Sequence, residues 1–343
     1  MKKEPKISII TATFNIIKNK REELFKQSFN SVVNQTYKNI EYIIIDGNSN
    51  DGTVNFIKQY DKTGNLKIYS EPDKGIYDAF NKGLFKASGD YILYLGSDDF
   101  LYSNNAIEEM VETIIEEEVD WVYGNTIYLT NQGQICKWKG TLDAIPFGSA
   151  PCHQSTLISI KSMKNVGGFD INNKVADIDL MMKLIKNNYK SASIDKCLSV
   201  FRGGGESSKQ ETDNGFKQDF INSFYSLFGM QLGLSLDECE SLYAGECFHT
   251  LKNKELNNIG LRLGYSNWIK TFFNRQYIIL NTSPTAYRST KTFCVLNIPI
   301  FKYRKMPAVK RFYIFEIPIF KIAHKMNRII FSIFEIPVIK IKI

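Results

Sequence analysis

The 343-residue sequence lacks several features that mark well-known classes of protein. Its six cysteines are scattered without a Cys-x-x-Cys pair, which argues against a zinc site or a disulfide framework and is typical of reduced thiols in a cytosolic protein. No uncharged apolar run approaches the roughly 20 residues of a membrane-spanning helix. No signal peptide is expected, because residues 1–6 are followed by only a short apolar run.

Two common nucleotide-binding motifs are also missing. No Gly-x-Gly-x-x-Gly follows the first predicted strand, which argues against a dinucleotide cofactor. No Gly-x-x-x-x-Gly-Lys-Ser/Thr is present, which argues against a P-loop nucleotidase. The hydrophobic content of 43% and the charged content of 23% are those of a globular protein, expected to form one large domain with appendages or two domains.

What the chain does have is an uneven distribution of its +7 net charge. Residues 288–343 carry 12 Lys or Arg against two Glu, a net charge of +10, which leaves −3 on residues 1–287. This tail repeats itself every 19 residues, at positions 296–302, 315–321 and 334–340. A proline in each unit excludes one continuous helix and favours short strands or turns. We expect the tail to contact the anionic inner face of a membrane rather than nucleic acid; a β-repeat cap or an oligomer contact is the alternative.

The most informative stretch is a buried-strand pattern at residues 91–95 that runs into Asp98 and Asp99. A protein core does not hold two adjacent unpaired carboxylates, so they are expected at the carboxyl end of the strand, in a crevice. Ligands bind at this edge of open α/β sheets, and two hard oxygen ligands suit a divalent cation that carries phosphates. A surface turn explains this pair equally well when it is taken alone.

The first 99 residues alternate between strand and helix patterns. This predicts right-handed βαβ units, hence an α/β fold with a mostly parallel, Rossmann-like sheet between helices. Thr11, Thr13, Asp46 and Asp73 all follow predicted strands, as Asp98 does. These polar groups should gather along one edge of the sheet, as in a nucleotide site. Further along, we expect a helix at 104–118, a hairpin at 121–138 and mostly helix at 209–285; the glycine-rich residues 203–208 are a linker or a mobile cover over the donor.

Four segments in this order resemble the family 2 glycosyltransferases with the GT-A fold, at residues 7–15, 42–53, 71–83 and 89–99. The chain is similar to the branch that builds bacterial exopolysaccharide, capsule or lipopolysaccharide. The resemblance covers about residues 5–205. It implies a catalytic domain at 1–205, followed by a helical extension at 206–285 and the basic tail at 286–343.

The resemblance also implies roles on the donor side. Asp98 would lie near the ribose or the metal, and Asp99 would bind Mn²⁺ or Mg²⁺ at the diphosphate of a nucleotide sugar, with UDP expected. Many relatives have a further acid where this chain has Gly47 and Gly96, so the base and the metal geometry stay open. The other residues expected around the nucleotide sugar are Thr11, Thr13, Asn15, Asp46, Asp73, Lys74, Gly75 and Asn81; Lys74 is equally well a solvated surface lysine.

On the acceptor side, two acids open a predicted helix that runs to about residue 188. The resemblance implies that Asp177 is the general base, with Asp179 as the substitute. Transfer with inversion needs one carboxylate to take the proton of the acceptor hydroxyl, and the sequence offers no nucleophile for a retaining route. His153 and Gln154 are expected beside the acceptor or the diphosphate; a purely structural role is the alternative for His153.

These expectations combine into one reaction. The chain would be a metal-dependent inverting glycosyltransferase, peripheral on the inner face of a bacterial membrane, that moves a sugar to a glycan or lipid-linked acceptor. The alternatives are a nucleotidyltransferase with two metals on Asp98 and Asp99, and a non-catalytic glycan- or membrane-binding protein with a relic nucleotide site. The sugar, the acceptor hydroxyl and the oligomeric state are left open.

Overall fold

A computed structural model describes residues 4–61, 66–130, 133, 135–204 and 214–244, and six strand segments between 289 and 342. The chain divides into two compact units, residues 1–251 and residues 252–343. The glycine-rich stretch beyond Gly204, residues 245–285 of the expected helical extension and residues 286–288 of the tail lie outside the described residues. Among the described residues, no helix is long and apolar enough to cross a membrane.

The first unit begins with the alternating strands and helices that the sequence predicts. In chain order these are β1 (Ile7–Thr13), α1 (Glu22–Val33), β2 (Ile40–Asp46), α2 (Thr53–Lys58), β3 (Lys67–Ser70), α3 (Ile76–Lys86) and β4 (Tyr91–Gly96). Strand β1 pairs in parallel with β2 and with β4, and β2 pairs in parallel with β3. The near-continuous Ile and Leu runs of these strands are explained by burial on both faces of the sheet.

The second half of the sheet is mixed rather than parallel. It contains β5 (Phe100–Leu101), α4 (Ala106–Glu117), β6 (Trp121–Leu129), β7 (Ile135–Trp138), β8 (Thr156–Ser159), α5 (Ile160–Asn165), α6 (Ala176–Lys186) and β9 (Ser191–Arg202). The strand order is β3-β2-β1-β4-β8-β6-β9-β5, with β7 paired to β6. Strand β8 is antiparallel to both β4 and β6, whereas β6 and β9 run in parallel.

Helices cover both faces of the sheet. On one face, apolar side chains of α1 and α4 pack on β1 and β4 in one continuous core; among them are Phe25, Phe29, Ile107, Met110, Ile9 and Leu93. On the other face, Phe80 of α3 packs against Tyr94 of β4, with ring centroids 4.7 Å apart. Burial of each large side chain contributes about 1.5–3 kcal/mol, so the two layers stabilise the sheet edge that carries the site.

A helical segment follows β9 and packs on the rest of the first unit. It comprises α7 (Asn214–Phe224), a π-helical turn (Tyr225–Gly229), α8 (Met230–Leu232) and α9 (Leu236–Ala244). Ser223 accepts a hydrogen bond from the Asn173 side chain, and Asp219 accepts one from the Lys174 amide. These hydrogen bonds hold α7 against the loop just before α6, so α7 lies beside the amino end of α6.

The second unit is an antiparallel meander of six strands: β10 (Ser289–Val295), β11 (Ile298–Met306), β12 (Val309–Ile314), β13 (Ile317–His324), β14 (Arg328–Ile333) and β15 (Ile336–Lys342). Each 19-residue repeat supplies a pair of strands. The prolines at 299, 318 and 337 pair next to a bulge in each hairpin. A bulge is one of the few places where a strand tolerates proline, because the missing N–H costs no ladder hydrogen bond there.

Candidate active site

The site lies where strands β1, β2 and β4 end side by side. Thr13 pairs with Asp46 in register, and Ala12 pairs with Gly96, so the residues that follow these three strands share one edge of the sheet. The expected convergence of strand-end polar groups is therefore present. Thr11 is the exception: it is fully buried within the sheet, and its hydroxyl shares a 3.1 Å hydrogen bond with that of Tyr42.

Asp46 fastens three strand ends together. Its carboxylate is fully buried and accepts hydrogen bonds from the hydroxyls of Thr13, Ser49 and Ser70, at 3.1, 2.6 and 2.7 Å, and from the Ser49 amide at 2.8 Å. A carboxylate has about four acceptor positions, and these four donors fill them. Asp46 thus holds the loops after β1, β2 and β3, while its expected role in binding the nucleotide sugar stays a prediction.

An exposed aromatic ring flanks this edge. The side chain of Phe14 is 60% exposed although it follows a buried strand. A Cβ on Gly47 would lie 3.2 Å from the Phe14 ring and 2.7 Å from a carboxylate oxygen of Asp73. The missing side chain therefore leaves room for both residues. Asn15 lies beside them in a left-handed conformation and accepts a hydrogen bond from the Asn50 amide.

Asp98 and Asp99, which follow β4, have different partners. The Asp98 carboxylate contacts the Arg21 guanidinium. Asp99 is only 3% exposed. Its Oδ2 accepts a 2.8 Å hydrogen bond from the side-chain amide of Gln154, and its Oδ1 accepts one of 2.9 Å from the backbone N–H of Arg202. Burial, aided by the charge of Asp98, raises the pKa of Asp99 to about 7. Asp99 is thus a buried carboxylate that forms no ion pair with any residue in the described part of the chain.

Gly96 explains how the two carboxylates fit. A Cβ at this position would lie 2.5 Å from Asp99 Oδ2 and 3.3 Å from Asp98 Oδ1, because both side chains fold back over the end of β4. An acid at position 96 would occupy the volume that these carboxylates fill. The observed positions of the Asp98 and Asp99 carboxylates therefore require a residue without a side chain at position 96.

Asp177 lies in the first turn of α6 and is held by the next backbone amide and by two side chains from distant parts of the chain. Its Oδ1 accepts a 3.2 Å hydrogen bond from the Tyr77 hydroxyl and one of 3.0 Å from the Ile178 amide. Its Oδ2 lies 3.2 Å from Nδ1 of His153. Burial acts to raise the pKa of Asp177, but His153, the Ile178 amide and the Tyr77 hydroxyl outweigh it and lower the pKa.

The two acidic centres are connected through adjacent residues. His153 contacts Asp177 while Gln154 binds Asp99, and both belong to a short 3₁₀ turn, His153–Ser155. Ser155 anchors this turn, since its hydroxyl lies 2.7 Å from that of Thr126 and 2.6 Å from that of Ser199, all of them buried. The turn therefore fixes the spacing between the pair after β4 and the acid on α6.

The remaining expected residues lie around the same edge with various partners. The Asp73 carboxylate accepts a hydrogen bond from the Gly75 amide, and burial raises the pKa of Asp73. Lys74 is exposed, and its backbone amide donates to Asp78. Asn81 exchanges two hydrogen bonds with the backbone of Phe169, so it clamps α3 to the loop before α6. Asp179 forms a 2.7 Å ion pair with Lys183 of its own helix.

Three residues of this site were not singled out from the sequence: Phe14, Arg21 and Tyr77. Phe14 follows directly after the first strand motif, and Tyr77 stands within the third motif, so their positions offered a signal. Arg21 offered none, because its partner Asp98 is 77 residues away.

The pair after β4 fits a divalent cation. Carboxylate oxygens are the ligands that Mg²⁺ and Mn²⁺ prefer, and such ions are commonly held by one or two carboxylates plus the phosphates of a substrate. Each Asp99 oxygen accepts one hydrogen bond, which leaves acceptor positions open. Among the described residues no group of three or more His, Cys, Asp or Glu forms a metal site made of protein alone.

Comparisons with known proteins show which proteins this chain is similar to. The model of the glycosyl transferase family 2 matches residues 8–157. A PGL/p-HBAD biosynthesis glycosyltransferase of Mycobacterium bovis (strain BCG / Pasteur 1173P2) is 29% identical over 189 residues, which are 53% of this chain and 71% of the relative.

Two solved structures share the fold. S. aureus TarS 1-349 in complex with UDP-GlcNAc superposes with a TM-score of 0.54 at 18% identity, over 78% of this chain and 81% of that one. The mannosyltransferase PcManGT of Pyrobaculum calidifontis, in complex with GDP-Man and Mn²⁺, superposes with a TM-score of 0.52 at 14% identity, over 81% and 86% of the two chains. The GT-A fold expected from the sequence is confirmed.

Proposed function

We propose that this chain, whose residues 8–157 are a family 2 glycosyltransferase domain, transfers a sugar with inversion from a nucleotide sugar to a hydroxyl of a glycan or lipid-linked glycan in bacterial surface polysaccharide synthesis. One observation carries the proposal. A carboxylate pair at the end of β4 and a separate, hydrogen-bonded carboxylate on α6 are joined through the turn at His153–Ser155. This connection would hold a donor diphosphate on one side and an acceptor hydroxyl on the other in one relative arrangement.

The donor would bind along the edge formed by β1, β2 and β4. Asp98 and Asp99 would hold Mn²⁺ or Mg²⁺, which neutralises negative charge on the diphosphate when it is bound. Arg21 already contacts Asp98 and offers a further cation for the phosphates. The exposed face of Phe14 beside Gly47 is suited to stack on a nucleobase, with Thr13, Asn15 and Asp73 around it.

The acceptor would approach Asp177 from the side of α6. As the acceptor oxygen attacks the anomeric carbon, its proton passes to the Asp177 carboxylate, and the bond from that carbon to the phosphate oxygen breaks on the opposite face. The lowered pKa of Asp177 keeps this group ionised at neutral pH, the form that a general base needs. Asp179 is less suited to act as the general base, because its carboxylate forms an ion pair with Lys183.

Similar proteins support the choice of substrates. The TarS structure contains a UDP-linked sugar, and the PcManGT structure contains GDP-mannose with Mn²⁺. We propose UDP as the nucleotide here, as in the TarS complex, and a lipid-linked glycan as the acceptor.

A screen for nucleotide sugars tests this proposal directly. UDP-linked and GDP-linked sugars would be compared by thermal unfolding with and without Mn²⁺; a UDP-sugar at 100 times its Kd should add about 2.7 kcal/mol only when the metal is present. In transfer assays with the ligand so identified, Asp177→Ala should lose transfer but retain slow metal-dependent donor hydrolysis. Asp99→Ala should lose both activities. Full transfer by either variant would contradict the assignment.

We further propose that the basic tail binds the anionic surface of a membrane. The strand register pairs Arg304 with Arg311, and Arg311 with Lys321, in one row across three strands, and each cation adds about 1 kcal/mol near an anionic leaflet. The full chain should therefore sediment with phosphatidylglycerol vesicles and not with phosphatidylcholine vesicles. A chain that ends near residue 285 should stay in solution, and equal sedimentation of the two chains would refute the membrane role.

A further inference from the structure

Three donors hold the carboxylate of Asp177 and leave one acceptor position open. Oδ1 is occupied by the Tyr77 hydroxyl and the Ile178 amide, at 3.2 and 3.0 Å, while Oδ2 lies 3.2 Å from His153 Nδ1. Because a carboxylate has about four acceptor positions, the remaining one is on Oδ2, beside the imidazole.

We infer that His153 is a positioning residue for transfer: it donates a hydrogen bond from Nδ1 to Oδ2 of Asp177 and so directs the acceptor hydroxyl to the open position on that oxygen. This inference rests on the proposed function, because it concerns how the proposed base receives its proton. In this step the acceptor O–H bond breaks and an O–H bond forms on Oδ2. The imidazole keeps its own proton throughout.

The orientation of His153 does not depend on Asp177 alone. Its ring stands edge-on to Phe80, with centroids 5.7 Å apart and planes at 68°. The next residue, Gln154, is 3% exposed and bound to Asp99, and Ser155 belongs to the buried hydroxyl cluster. An imidazole fixed by neighbours on both sides holds a flexible carboxylate in one rotamer, which is the requirement for a preorganised base.

Tyr77 is fixed in the same manner on the other side of the carboxylate. Its ring stacks on Phe169 at 5.3 Å and 26°, so its hydroxyl reaches Oδ1 without freedom to turn away. Two other groups are near Asp177. One is the Cys152 thiol, whose pKa is raised by burial and also by the charge of Asp177. The other is Asp179 on the same helix, which forms an ion pair with Lys183. His153 is thus the partner that distinguishes Oδ2 from Oδ1.

Two substitutions at position 153 separate the hydrogen bond from the imidazole ring. In His153→Asn the amide nitrogen takes the place of Nδ1 and still donates, whereas His153→Leu removes the donor. We expect kcat to fall about 30-fold in His153→Leu and no more than about threefold in His153→Asn. A loss of about 30-fold is smaller than the roughly 100- to 10,000-fold contribution of a general base itself, as expected for a residue that only positions the base. KM for the donor and Mn²⁺-dependent UDP binding by calorimetry should stay within about twofold in both variants, since the donor side is untouched.

The pH dependence supplies a readout that a structural role would not move. Loss of the hydrogen bond raises the pKa of the Asp177 carboxyl, so the acid limb of kcat/KM should shift to higher pH in His153→Leu and remain in place in His153→Asn. Tyr77→Phe, which keeps the ring on Phe169 and loses only the hydroxyl, should give a smaller shift in the same direction.

The outcomes that overturn the inference are distinct from those that overturn the proposed function. If His153→Asn is as inactive as Asp177→Asn, the imidazole itself takes the proton and the positioning role is wrong. The role is also wrong if His153→Leu transfers normally, or if both variants lose UDP binding and thermal stability together. In each of these cases the wild-type chain still transfers sugar, whereas a wild-type chain that neither binds nor uses a nucleotide sugar would sink the proposed function as well.

Discussion

The two edges of the same sheet treat buried carboxylates in opposite ways. At the amino edge, Glu41 of β2 is 6% exposed and is contacted by five donor atoms, from Ser8, Ser88, Lys6 and Lys67. At the carboxyl edge, Asp99 is 3% exposed and receives two donors, both neutral, with Asp98 beside it. The two carboxylates are buried to a similar extent, but only Glu41 has cationic side chains that compensate its negative charge.

The pKa values follow this difference. Burial acts to raise the pKa of Glu41, but hydrogen bonds from Lys67, Ser8 and Ser88 outweigh it and hold the pKa well below its ordinary value. At Asp99, burial and the charge of Asp98 prevail and raise the pKa. A buried carboxylate with its full set of partners stabilises the fold, whereas one without a cation is prepared to accept one from a ligand. The comparison therefore contrasts two buried carboxylates of one domain, one whose charge is compensated by neighbouring donors and one whose charge is not.

Asp99→Asn should give the largest effect and the clearest test of this contrast. We expect transfer to fall at least about 1,000-fold, or about 4 kcal/mol of transition-state stabilisation. Stability should be retained, because the Gln154 amide can turn to accept from the new Asn nitrogen while Arg202 still donates to its oxygen. Initial transfer rates and denaturant unfolding measure the two quantities. A variant that loses activity only because it unfolds would remove the contrast.

Glu41→Gln should show the reverse pattern. Loss of the charge weakens the contacts with Lys6 and Lys67, whose side chains are 36% and 42% exposed, so we expect about 2 kcal/mol of destabilisation rather than the larger cost of a fully buried pair. Transfer by the folded variant at low temperature should match that of the wild type. Lost transfer with unchanged stability would mean that the amino edge also takes part in the reaction.

The pH dependence of stability gives the smallest and sharpest test. Because the folded-state pKa of Glu41 is depressed, its contribution to stability is present above its ordinary pKa of 4.5 and is lost as the pH falls toward the folded-state value. The difference in unfolding free energy between wild type and Glu41→Gln should thus be constant from pH 6 to 8 and shrink below about pH 4.5. A difference that does not depend on pH would show that the ion pairs with Glu41 are not its source.

The first half of the sheet was predictable because its signals are local. Strands buried on both faces consist of nearly uninterrupted apolar residues, and α3 at Ile76–Lys86 is one of the helices in the predicted alternation. The second half was harder to predict. Strand β9, which reads Ser-Ala-Ser-Ile-Asp-Lys, is half-exposed along its first residues, and the β4–β8 pairing is antiparallel and joins segments about 65 residues apart. No local pattern specifies such a pairing.

The candidate site divides along the same line. The sequence by itself determined which acids follow the strands, that Asp177 opens a helix, and that a proline-containing unit repeats in the tail, since each depends on residues that are neighbours in the chain. Only the tertiary structure decided what these acids contact. The partners His153, Gln154 and Tyr77 lie 24, 55 and 100 residues from the carboxylates they touch. Those distances are closed by packing across the sheet, which periodicity along the chain does not encode.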